Sequence, residues 1–164
     1  METIRCSFYL PTGATIITDV DREWRILPNF RLWELANNEA TDEQTVDGIR
    51  FATDSMYSWK FLTMLQITRD HFGAITLGSG YRTQAFNDSL KKATHDSQHC
   101  HMQAADPLRE AKYRNVDPWI NFWRNLCYSF HEVGAIGLYD DIYHLEIGSD
   151  RRYGAKGFDV RDYR

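Results

Sequence analysis

Two apolar runs, Ala135 to Leu138 and Ile142 to Ile147, stand on either side of Tyr139-Asp140-Asp141. Three residues rich in Asp suit a tight turn, so the runs read as an antiparallel hairpin. The segment just before them opens at Asp117-Pro118 and places Trp119, Phe122, Trp123, Leu126 and Phe130 at helical spacing. It reads as a helix with Asp as its cap, Pro in its first turn and Gly134 as its stop. An aromatic stripe of this kind reads as core. Helices alternating irregularly with short strands, two of them a hairpin, favour an α+β fold, a small antiparallel sheet flanked by helices.

The rest of the chain agrees with this pattern. Ile4 to Leu10 and Thr15 to Val20, separated by Pro11-Thr-Gly13, read as another β-hairpin. Asp19 to Pro28 reads as a charged loop. Phe30 to Asn38 reads as a short helix ended by Asn37-Asn38. The longest helical signal runs from Thr53 to Phe72, with Gly73 as its stop. Ala74 to Leu77 reads as a short strand, broken by Gly78-Ser-Gly80. Thr83 caps a helix that runs to Ala93. From Ser149 the chain is charged and contains glycine, which reads as a tail. One domain is expected, with residues 1–28 as an N-terminal hairpin extension packed on it, 29–149 as the core and 150–164 as the tail.

Composition narrows the function. The net charge of −4 comes with no basic run, which disfavours nucleic acid as a partner. No stretch of about 18 apolar residues occurs, so no membrane insertion is expected. The opening Met1-Glu-Thr-Ile-Arg-Cys6 does not have the form of a signal peptide. Cytoplasmic synthesis is the expectation, with release needed for any target outside. Three cysteines, Cys6, Cys100 and Cys127, close no disulfide framework.

Two segments carry chemistry: Ser97-Gln-His99-Cys-His101-Met-Gln-Ala104-Ala-Asp106, and Asp141-Ile-Tyr-His144-Leu-Glu146. A catalytic zinc site takes three protein ligands and an open position for water. Two imidazoles and one carboxylate leave the metal net positive, which lowers the pKa of water there to roughly 7. His99, Asp106 and His144 form one such set, and Asp141, just ahead of His144, is a candidate general base. Other sets remain open on residue chemistry, because His95, Cys100 and His101 lie close by and are equally good ligand types.

Ordered motifs distinguish among these sets. Ser97, His99, Ala104 and Asp106 fall on the pattern Ser-x-His-x-x-Gly-x-Ala-x-Asp. Gly137-Leu-Tyr139 leads to His144-Leu-Glu146. Ser79-Gly-Tyr-Arg82 lies upstream, and Asn29-Phe-Arg-Leu-Trp-Glu34 opens the series. Over residues 29 to 149 the chain therefore resembles the zinc D-Ala-D-Ala carboxypeptidases, a group that includes L-alanyl-D-glutamate endopeptidases and shares its fold with hedgehog signalling domains. The resemblance implies zinc on His99, Asp106 and His144. It implies Asp141 as general base and Arg82 as a substrate and oxyanion contact. Ser97 is implied as a further substrate contact, and Glu146 as a residue that orients the site from behind. The implied activity is hydrolysis of a peptide bond in the peptidoglycan stem peptide, either terminal D-Ala-D-Ala or internal L-Ala-D-Glu. A phage or bacterial cell-wall enzyme acting as a monomer fits that activity. Two residues depart from the pattern: Met102 stands where the family usually has Gly, and Glu146 where it has Asp. Met102 leaves open a metal-containing binding or structural module without hydrolysis. Asp141 and Arg82 argue against that alternative, since such a module needs neither a base nor an oxyanion donor.

Overall fold

The computed structural model describes residues 4–9, 15–20, 25–35, 56–91, 93–110, 115–148 and 157–164. The N-terminal hairpin is β1 (Ile4–Tyr9) with β2 (Thr15–Val20), antiparallel and in regular register from Ile4↔Val20 to Tyr9↔Thr15. The expected loop before Pro28 contains a short strand, β3 (Arg25–Leu27), which pairs with β4 (Phe30–Arg31). The expected helix from Phe30 therefore begins later, at Leu32. Its described part is α1 (Leu32–Leu35), and Asn37-Asn38 lie outside the described residues. The sequence Asn29-Phe-Arg-Leu-Trp-Glu34 serves here as an anchor. Phe30 is fully buried, and Arg69 lies over its ring at 4.5 Å. The Asn29 amide donates to Asp70 at 2.9 Å, and Glu34 Oε2 accepts from the Arg31 backbone N–H at 2.7 Å.

Helix α2 (Met56–Phe72) buries Phe61, Leu62, Met64 and Leu65 on one side. It stops at Gly73, whose φ of 85° turns the chain while its N–H donates to Arg69 O. A left-handed residue at this position is the ordinary way for a helix to end, and glycine adopts it without steric cost. Helix α3 (Gln84–Ser89) is capped by Thr83 Oγ1, as its sequence suggests, but ends before Ala93. Asn87 closes it by donating its side-chain amide to Thr94 O at 2.8 Å, which folds the chain back.

A five-stranded sheet forms the centre, in the order β5 (Leu77–Ser79), β6 (Ala104–Pro107), β8 (Tyr143–Gly148), β7 (Val133–Leu138), β9 (Phe158–Asp162). The β7–β8 pair is the expected hairpin, in register from Val133↔Gly148 to Leu138↔Tyr143. β5 lies later than the expected Ala74 to Leu77 run, because its partners are Pro107 and Asp106, which meet Leu77 and Ser79. The stretch from Ser149, expected as a tail, supplies β9. This strand pairs with β7 in the parallel sense, the one departure from antiparallel pairing in the sheet.

Helix α4 (Asp117–Ser129) packs on the sheet and buries Trp119, Trp123, Leu126 and Cys127. Trp119 stacks on Phe72 and on Tyr143, at ring separations of 4.3 and 4.7 Å. Asp117 is already helical and Val116 occupies the cap position, so Asp117 is not the side-chain cap expected. Gly134 lies inside β7 and does not end the helix. Phe130 closes α4, and His131 carries the turn at φ 54°. The stripe read from the sequence is nonetheless the buried face. Among the described residues no helix is long and apolar enough to cross a membrane.

Candidate metal centre

Three elements meet at one end of the sheet. A single 3-10 turn (Gln98–His101) carries His99, β6 carries Asp106, and β8 carries His144 and Glu146. Ser97 caps that turn by accepting from the His99 backbone N–H at 3.4 Å. At its far end stands Met102, with φ 51° and ψ 41°. This left-handed conformation is the one glycine adopts freely, and in another residue it costs about 1–2 kcal/mol. Met102 is 2% exposed, so core burial of its side chain offsets that cost. The departure from Gly therefore leaves the backbone in the conformation a Gly would favour.

The donor atoms converge. His99 Nε2 lies 3.3 Å from Asp106 Oδ1 and 3.3 Å from His144 Nδ1, and His144 Nδ1 lies 2.7 Å from Asp106 Oδ1. Tetrahedral ligands at roughly 2.0–2.1 Å from zinc are about 3.3 Å from one another. Two edges of the triangle match this spacing and the third is shorter. The neighbours of both imidazoles favour the same use. His99 Nδ1 donates to Gly80 O at 2.6 Å, which leaves Nε2 with its lone pair facing Asp106 Oδ1. Two acceptors directed at each other are favourable only with a cation or proton between them, so the donor set suits a metal. Glu146 Oε2 lies 3.1 Å from His144 Nε2, a bond that would leave Nδ1 free to coordinate. Among the described residues this is the only cluster of three or more His, Cys, Asp or Glu whose donor atoms lie close enough to hold one ion.

Without metal, His144 donates from Nδ1 to Asp106 and from Nε2 to Glu146, which requires the doubly protonated ring. Burial pulls its pKa down, but the hydrogen bonds to Asp106 and Glu146 prevail and raise it to about 9. Burial would likewise raise the Asp106 carboxyl. The charges and hydrogen bonds of His99 and His144 instead hold it well below the usual carboxylate range. Burial lowers the pKa of His99. Since the raised His144 pKa lies above the unfolded value near 6.5, its stabilising effect on the metal-free protein is complete below that value and is lost as pH rises through about 9. A metal must displace that proton. Zinc binding at pH 7 should therefore release about one proton from His144, in addition to any from metal-bound water, and the His144 part should disappear as pH passes 9. Calorimetric titration in buffers of different ionisation enthalpy measures this directly, and no proton release at pH 7 would contradict the assignment of His144.

A cleft of about 370 Å³ opens over the triad. Arg82, Ser97, His99, Asp106, His144 and Glu146, all singled out in the sequence, line it. Arg82 donates from Nη2 to Asp106 Oδ2 at 3.1 Å and from Nε to Ser79 Oγ at 2.9 Å. Asp141 is placed differently. It sits on the exposed β7–β8 turn, three residues before His144, and is not part of the cleft lining. His95 and His101 stand apart, with Asp88 at 3.0 Å and Asp96 at 3.2 Å as their respective partners. Cys100 is buried and free, and burial raises its thiol pKa.

The Peptidase M15 family model matches residues 28–119, more than half of the chain, and that span includes Arg82, His99 and Asp106. The chain belongs to the Peptidase M15 family. M15 members are zinc-dependent peptidases of the D-Ala-D-Ala carboxypeptidase type, so the chain is a metallopeptidase by family and its triad is a site suited to their metal. His144 and Glu146 lie beyond the matched span, and the sheet brings them to the M15 motif. No curated protein and no solved structure matches the chain.

Among the cleft residues that the sequence did not single out are Arg161 and Tyr163. Tyr163 stacks on Tyr139 at 4.7 Å, and Arg161 Nη1 donates to Glu146 Oε1 at 2.9 Å. The alternation of apolar and charged residues in Phe158-Asp-Val-Arg-Asp162 is a period-2 strand signal that could have revealed them.

Proposed function

We propose that this M15 peptidase hydrolyses a peptide bond in the stem peptide of peptidoglycan, as a carboxypeptidase or an endopeptidase, with zinc held by His99, Asp106 and His144. The observation that carries this reading is the convergence of three donor atoms at the floor of a cleft bordered by Arg82. A cleft of about 370 Å³ suits a short peptide segment. When bound, zinc supplies a Lewis acid for the scissile carbonyl and lowers the pKa of a water.

The chain's own residues do the rest. Asp141 is the proposed base, taking the proton of the attacking water and passing it to the leaving amine; that role requires the β7–β8 turn to bring its exposed carboxylate over the cleft, whose lining does not include it. Glu146 has both carboxylate oxygens engaged, Oε2 by His144 and Oε1 by Arg161, so it orients His144 and is poorly placed to act as base. Arg82 uses two of its five donors on Asp106 and Ser79, which fixes the guanidinium plane at the edge of the cleft. Its other donors are available in number for a developing oxyanion. Ser97 borders the same space and offers a hydroxyl to substrate. The reading as a non-catalytic module loses its main support, because Met102 already adopts a glycine-like backbone.

A zymogram on bacterial cell walls tests the reading. The wild-type protein should clear the wall, and a chelator should stop clearing until zinc is restored. His99→Ala should carry no zinc and clear nothing. Clearing by metal-free protein, or by His99→Ala, would overturn the proposal.

A further inference from the structure

We propose that Arg161, on the C-terminal strand β9, is a positioning residue for the metal centre, acting on His144 through Glu146. This rests on the metal reading given above. The parallel pairing of β9 with β7 places Arg161 beside Gly137, and Gly137 is paired on its other side with His144. Arg161 and Glu146 therefore come from strands two apart, about 10 Å between backbones. The residues of β7 between them on this face are Ala135 and Gly137. Their small size leaves the Arg161 side chain a path across β7. At Gly137 a Cβ would already stand 3.1 Å from His144 Cβ.

Arg161 Nη1 reaches Glu146 Oε1 at 2.9 Å, and Nε is held by Asp159 Oδ2 at 3.0 Å. Glu146 is 2% exposed, and a carboxylate so buried needs a paired cation to remain ionised. With Oε1 fixed by Arg161, Oε2 faces His144 Nε2 at 3.1 Å. That contact selects the ring orientation and tautomer that direct Nδ1 at the other two donors. The last strand thus completes a site whose three donors all lie earlier in the chain.

The test is zinc affinity, measured by competition with a chromophoric chelator on full-length variants, alongside thermal melting. Arg161→Ala should weaken zinc binding about 10–100-fold, with Arg161→Lys falling between it and wild type. Glu146→Gln should weaken binding as well, and the double variant should be no weaker than Glu146→Gln alone, because both changes break one relay. Val160→Ala, next to Arg161 on the same strand, should leave affinity unchanged and controls for strand integrity. Unchanged affinity in Arg161→Ala, or additive losses in the double variant, would overturn the inference. If the wild-type protein itself bound no zinc, the metal reading would fall first, so the two failures are distinguishable.

Discussion

Gly80→Ala should lower stability by about 3 kcal/mol or more and weaken metal binding at the same time. A Cβ at Gly80 would stand 2.2 Å from Leu35 O and 2.8 Å from Leu35 C. Both are backbone atoms at the end of α1 and cannot rotate aside. The demand is for space alone, since Gly80 does not have a positive φ. The same contact is tied down by the next residue, whose Tyr81 N–H donates to Leu35 O at 2.6 Å. Relief of the clash must therefore move the Ser79-Gly-Tyr-Arg82 segment as a unit. That segment also supplies Gly80 O to His99 Nδ1 and Arg82 to Asp106. For a chain of this length a loss of this size corresponds to a fall in Tm of about 6–12 °C. Zinc affinity should drop at least about 10-fold, because the carbonyl that orients His99 moves with the strand. Thermal melting and chelator competition on the same sample measure both. A Tm within about 2 °C of wild type would show that α1 yields without cost, and the argument from close approach would be wrong.

Asp141→Asn and Glu146→Gln should separate proton transfer from metal positioning. The two carboxylates flank His144 in sequence, but their surroundings differ. Asp141 is exposed on the turn, whereas Glu146 is buried between His144 and Arg161. Asp141→Asn should keep its zinc and lose turnover by about 10²–10⁴-fold, the usual cost of a missing general base. Glu146→Gln should lose zinc affinity by about 10–100-fold, and excess zinc should restore much of its turnover. The measurement is turnover against added zinc, with metal content read on each sample. Full activity in Asp141→Asn would remove Asp141 from the mechanism. A Glu146→Gln enzyme that keeps its zinc but stays inactive would transfer the base role to Glu146.

The sequence by itself determined the features that depend on neighbours along the chain. The aromatic stripe of α4, the Gly73 stop, the Thr83 cap and the β7–β8 turn were legible because each is decided within a few residues by spacing, backbone freedom or a single hydrogen bond. The family pattern likewise singled out His99 and His144 from six histidines and added Asp106, and the fold brings those three donors within one ion's reach. The usual Gly at position 102 marked a backbone constraint there, but only the structure shows that it is a left-handed conformation, which the methionine adopts. Only the tertiary structure decided what depends on strands far apart in sequence. The β5 register follows from its pairing with β6, and its own residues alone suggested an earlier strand. β9 carries only a brief apolar–charged alternation, and its parallel pairing with β7 is set by hydrogen bonds that no local pattern specifies. Through it Arg161 reaches Glu146, and through Gly80 the end of α1 touches the segment that orients His99. These contacts join residues 15 and 45 positions apart, and chain separation of that kind carries no periodic signal, whereas backbone pairing in the folded sheet sets it to within a few tenths of an ångström.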